Sequence, residues 1–178
     1  MRAEAILLVA DRLTDPLAGV AVQLAVVPKE LGWAVPTTPT IVDAVTYPWV
    51  ARGQIDHATL GEGPWLLVGA TGDIFADGTA DANGRATVDV VVRYAASGSD
   101  ALTLADLTRA TSLTLRAAMR AILQPWNDTP AYVVTRNQVE FEAPTVRLLD
   151  PVEALGDDVL SSALVVSFPA IDPWALGI

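Results

Sequence analysis

The stretch Asn83-GRATVDVVVRYAASGSDALTLADLTRATSLTLRAAMRAI-Leu123 places a polar turn, an alternating strand and a long amphipathic helix in immediate succession. From Arg85 to Tyr94, Ala86, Val88, Val90, Val92 and Tyr94 alternate with Arg85, Thr87, Asp89, Val91 and Arg93, the period of two of a half-buried strand. Asn83-Gly84 is a favoured hairpin pair because both residues tolerate positive φ, so a strand at Trp65–Gly69 is expected to lie antiparallel on its N-terminal side. After the linker Ala95-Ala96-Ser97-Gly98-Ser99, Ser99 or Asp100 is suited to cap a helix that runs to about Leu123, before Pro125.

At 100° per residue, Leu104, Leu107, Thr108, Thr111, Leu115, Ala118, Met119 and Ile122 share one face of that helix, which is expected to pack on the sheet. The opposite face gathers Arg109, Arg116 and Arg120 around Leu113. Arg116 and Arg120 are like charges four apart, which disfavours the isolated helix by a few tenths of a kcal/mol. Such a face either stays solvated or meets an acidic neighbour.

The 178 residues suffice for a single domain with a full core. The composition is 52% hydrophobic and 18% charged, against roughly 25% charged in usual soluble domains. No apolar run approaches the ~18 residues needed to span a bilayer, so the excess points to apolar surface buried between subunits and no membrane partner is expected. The start, Met1-Arg2-Ala3-Glu4 before Ile6–Ala10, carries an acid where a secretion signal is basic, and secretion is not expected. Eleven basic residues, one of them a lysine, oppose 21 acidic ones for a formal charge of -10, a balance that repels nucleic-acid phosphates. From Asn137 to Ile178 there are seven acids and one arginine. An acidic surface there, with Glu140 and Glu142 on a strand, is a candidate contact for the arginine helix of a neighbour.

Taken in order, residues 2–13 carry helical spacing at Ile6, Val9 and Leu13. A second helix is expected with Asp15 as cap, Pro16 in its first turn, Leu17, Val20, Ala21, Leu24 and Val27 at helical steps, and Pro28 as its stop. The tract 28–64 holds five prolines and no clear period, and is expected to form an ordered arm with a short strand near Thr40–Val45. Trp65–Val68 reads as a buried strand. Pro125–Pro130 reads as a turn and Tyr132–Val134 as a short strand or edge. Val139, Phe141 and Ala143 point one way, then the apolar parity moves to Val146 and Leu148, which implies a bulge or break at Pro144. In the final strand, Val159–Ile171, Leu164, Val166, Phe168 and Ala170 are expected to face inward. The expected architecture is α+β: one domain over 1–178, with N-terminal helices (1–27), the arm (28–64), a core (65–172) of about four to five strands in a mostly antiparallel or mixed sheet under one long helix, and a tail (173–178).

Catalytic signatures are absent. His57 is the sole histidine, no Gly-x-Ser-x-Gly elbow surrounds any serine, and no cysteine exists for thiolate metal sites. Lys29 is followed by Glu30, so no Walker phosphate loop is present, and the glycine pairs near Trp65 lack dinucleotide spacing. No enzyme and no cofactor are expected. In the Asp73–Gly84 loop, Asp77, Asp81 and Asn83 alternate as oxygen donors for a hard cation such as calcium, though Val90 stands where a calcium loop needs a bidentate glutamate; a polar hairpin loop is the plainer reading.

The order of strand, acidic loop, alternating strand, long helix, bulged strand and final strand over Trp65–Asp172 resembles the tail terminator (tail completion) proteins of long-tailed bacteriophages. The resemblance rests on Gly84–Tyr94 leading into a helix that ends Leu115-RAAMRAI-Leu123, then Asn137-QVE-Phe141 and Ala163-LVVS-Phe168. It implies a virion protein, without an active site, that forms a hexameric ring, caps the finished tail tube and joins it to the head-closure connector, with DNA passing through unbound. Other phage neck or tail-tube proteins, or a calcium or small-ligand binding module built on the Asp73–Gly84 loop, stand as the alternatives. Neither the 28–64 arm nor the Asp73–Asn83 loop maps onto the family pattern.

Overall fold

A computed structural model describes residues 2–48, 63–69, 85–95, 104–149 and 159–171. The expected α+β class is observed, with helices α1 (Arg2–Thr14), α2 (Val20–Leu31) and α3 (Leu104–Asp128). The strands are β1 (Thr40–Asp43), β2 (Trp65–Val68), β3 (Arg85–Ala95), β4 (Val134–Arg136), β5 (Val139–Phe141), β6 (Thr145–Leu148) and β7 (Val159–Ile171). They form one sheet in the order β1-β2-β3-β7-β5-β4, with β6 beside β7. Seven strands rather than four or five are present because β1, from the tract ahead of the expected core, joins the sheet, and because the segment broken at Pro144 forms two strands, β5 and β6.

β3 and β7 are the long pair, antiparallel in register from Arg85↔Pro169 to Ala95↔Val159. Their matched parity, Ala86, Val88, Val90 and Val92 against Leu164, Val166, Phe168 and Ala170, makes one continuous apolar face, as the alternation requires. All three helices lie on that face and share its hydrophobic cluster. The expected β2–β3 antiparallel pairing is present from Trp65↔Arg93 to Val68↔Val90. β1 lies parallel to β2, so part of the 28–64 tract is built into the domain's own sheet. The opposite sheet face is also covered at its centre: Val42, Trp65, Leu67 and Val91 form a second cluster, and Asp89 is buried beside them. Val91 and Asp89, expected on the open side of a half-buried strand, are thus interior.

Helix ends depart from expectation at both prolines. Asp15 Oδ1 accepts from the amides of Leu17 (2.7 Å) and Ala18 (3.2 Å), which caps a separate turn rather than α2. Gly19 then opens α2; a Cβ there would sit 2.4 Å from the Asp15 carbonyl oxygen, so the chain can turn only at glycine. Pro28 does not stop α2. It lies buried in the last turn, and the stop is Gly32 at φ 67, where the Gly32 amide reaches the Lys29 carbonyl and the Trp33 amide the Pro28 carbonyl. This paired closure satisfies carbonyls the helix leaves open and favours glycine because a side chain at positive φ is strained.

α3 likewise continues through Pro125 to Asp128. The bond lost to the missing proline amide is set against burial of Trp126, whose indole N–H donates to the Tyr132 carbonyl at 2.7 Å. The expected cap at Ser99 or Asp100 lies outside the described residues. The arc of α3 that is buried is broader than the wheel placed it and turned toward α2: Leu113, Thr114, Ala117 and Ala121 are interior, while Thr108 is exposed. The wheel assumed one neighbour, the sheet, whereas α2 packs along a second side.

At the far margin, Asn137 (φ 44) and Gln138 (φ 71) form a two-residue turn with both centres at positive φ, which joins β4 to β5. The break expected at Pro144 falls between β5 and β6. Ala143 and Leu148 are nevertheless exposed, because nothing among the described residues covers the margin beyond β6.

Phe168 is 1% exposed and meets Trp126 and Phe141 at ring-centroid distances of 6.0 and 5.6 Å. Phe168→Ala should lower stability by about 3–5 kcal/mol in urea titration, whereas Leu148→Ala on the surface should change it by less than about 0.5 kcal/mol. Equal effects would contradict the placement of β7 at the centre of the core.

Candidate interaction surface

The closure at Gly32 delivers Trp33 onto the outer side of α3, where the Arg109 guanidinium lies 5.5 Å from its ring centroid, within cation–π range. Trp33, Ala105, Thr108, Arg109 and Ser112 bound an open cleft of about 680 Å³. Trp33 is 43% exposed, and Val26, Leu31 and Val35 near it in the chain are exposed to a similar or greater degree. Large apolar side chains left in water within ten residues of one another mark a contact surface more than single exposed leucines do.

The three arginines of the stripe have different surroundings. Arg109 pairs with Asp106 one turn earlier at 3.5 Å, an exposed pair that contributes at most about 1 kcal/mol. Arg120 meets Glu30 of α2 at 2.8 Å, so the acidic neighbour expected from another subunit is here supplied within the chain. Arg116, exposed between them, forms no ion pair with any described residue. Leu113, the proposed apolar centre of this face, is 1% exposed and belongs to the core, which removes it from the surface.

Glu140 and Glu142 are exposed, and they do not meet the arginines in the same chain. Val139 and Phe141 point to the helix layer, so Glu140 projects from the other side of the sheet while the stripe lies on the outside of the helices. Contact between the two sets requires two molecules.

The most connected ionic site was not legible in sequence. Arg136 on β4 reaches Glu4 at 3.1 Å through Nε and Asp11 through Nη1, and Asn137 Nδ2 donates to Glu4 at 2.8 Å. Glu4 and Asp11 are two turns apart on α1, a spacing that puts both on one side of the helix, but no local pattern marks a partner more than a hundred residues away. The site pins the β4–β5 hairpin to α1. On the second sheet face, burial holds the Arg93 guanidinium pKa below its ordinary value through desolvation.

Asp77, Asp81, Asn83, the rest of the Asp73–Gly84 loop and His57 lie outside the described residues. Among the described residues no group of three acidic, histidine or cysteine side chains could hold a metal ion, and no helix is long and apolar enough to cross a membrane.

Arg136→Ala should lower stability by about 1–3 kcal/mol in urea titration, because it strands the Glu4 carboxylate, and Arg116→Ala should change it by less than about 0.5 kcal/mol. A larger loss at Arg116 than at Arg136 would mean that Arg116 has a partner within the fold.

Compared with known proteins, the chain matches no family model, no curated protein and no solved structure.

Proposed function

We propose that this protein is a structural component of a phage virion that assembles into a ring, terminates the tail tube and joins it to the head connector. The observation that carries the assembly half of this reading is the exposure of Val26, Leu31, Trp33 and Val35 within one ten-residue stretch, with Trp33 against Arg109 of α3, in a chain with 52% hydrophobic and 18% charged residues. Large apolar side chains left outside the core and grouped in one stretch support burial against another protein. The identity of the assembly rests on the resemblance of the Trp65–Asp172 pattern to tail terminator proteins.

The charge supports the rest of the reading. A ring built from subunits of formal charge -10 presents DNA with like charge, and like charge forgoes the counterion release that drives phosphate binding. DNA could therefore traverse such a ring without adhering to it. Shape and surface complementarity, rather than chemistry, would be the whole of the mechanism.

Negative-stain images of the purified protein, alone and mixed with tail tube protein, should show rings or capped tube ends. A chain that stays monomeric in both samples and leaves tube ends bare would overturn the proposal.

A further inference from the structure

We infer that the Trp33 cleft and the arginine row of α3 receive the β4–β5 hairpin of a second copy of this chain. The inference rests on the ring reading above and names the two surfaces that would meet. On one side are the exposed Val26, Trp33 and Val35, with Arg109 over the Trp33 ring and the exposed Arg116 two turns further along α3. On the other, Val139 and Phe141 turn into the core, so alternation puts Val133, Thr135 and Glu140 on the outer side of the hairpin. Tyr132 and Val133 are 41% and 45% exposed, and Glu142 is exposed just beyond.

The outer side of the hairpin thus offers Val133 and the carboxylates of Glu140 and Glu142 to a surface of apolar side chains and guanidinium groups, while Tyr132, of the other parity, packs edge-on against Trp126. It is also held in advance. The Asn137-Gln138 turn fixes its register, and Arg136 and Asn137 tie it to Glu4 and Asp11 of α1, so little ordering is left to be done on contact.

Charge decides the occupant. Copies of net charge -10 repel at long range, but at 0.15 M salt this is screened beyond about 8 Å, and the contact is governed by the charges that touch. Of the three arginines on the exposed side of α3, Arg109 and Arg120 are matched by Asp106 and Glu30, and Arg116 is the cation that an approaching carboxylate such as Glu140 would meet. A nucleic acid fits less well. Arg109 and Arg120 already face Asp106 and Glu30, which leaves Arg116, and phosphate binding is built from many such cations. Because the two surfaces are different parts of the molecule, the contact is head-to-tail, the kind that closes into a ring or propagates as a filament.

The test is sedimentation velocity over a concentration series with wild type, Arg116→Glu, Glu140→Arg and the two changes in one chain. Both positions are exposed, and circular dichroism with urea titration checks that each variant folds as wild type does. Each single reversal should weaken self-association about tenfold or more, and the double reversal should largely restore it, since every head-to-tail contact contains one of each residue. Wild-type self-association that neither reversal disturbs, or a double variant no better than the singles, would overturn this contact and leave the ring reading standing. A wild type that remains monomeric with and without tube protein would overturn both.

Discussion

The structure depends on the antiparallel pairing of β3 with β7, maintained without a bulge from Arg85↔Pro169 to Ala95↔Val159. A slip of one residue would turn Val88, Val90 and Val92 away from the helices while Leu164, Val166 and Phe168 stayed, so the two apolar rows lock each other's register. Six such side chains, each worth about 1.5–3 kcal/mol when buried, make any other pairing uncompetitive. Everything else attaches to this ribbon. β2 extends it on one side, β5 and β6 divide the other edge of β7 between them, and α1, α2 and α3 cover its apolar face.

This arrangement explains which features of the fold were readable in sequence. β3 and β7 are long enough for the period of two to show, and Leu164, Val166, Phe168 and Ala170 face inward as the alternation requires. The break near Pro144 was readable because a change of parity is a local event. Pro28 and Pro125 were misleading for a shared reason: each sits in the final turn of its helix, where one lost hydrogen bond is offset by buried neighbours, Val27 beside the first and Trp126 beside the second. Leu113 misled because a wheel describes a helix against one partner, and α3 has α2 on its flank as well. Arg136 with Glu4 and Asp11 could not be found at all, since its three members are joined only by the fold.

The surface follows from the same layering. Helices on one face of the ribbon leave their outer sides to solvent, and the closure at Gly32 sets Trp33 against α3 instead of letting the chain run on. The result is an apolar and cationic surface on the helix layer, and an apolar and anionic one on the β4–β5 hairpin at the sheet margin. Removing Leu113 from the first surface and assigning Arg120 to Glu30 narrowed the sequence-level picture of an arginine face to the neighbourhood of Trp33, Arg109 and Arg116.

In the proposed assembly, the outer side of the α2–α3 layer, free in the single chain, is covered by a second copy. Hydroxyl-radical footprinting of the free and the assembled protein reads this directly, because it reports side-chain access residue by residue. Oxidation of Trp33 should fall several-fold on assembly while Phe168 stays protected in both states. Equal oxidation of Trp33 in the two states would contradict the proposed contact.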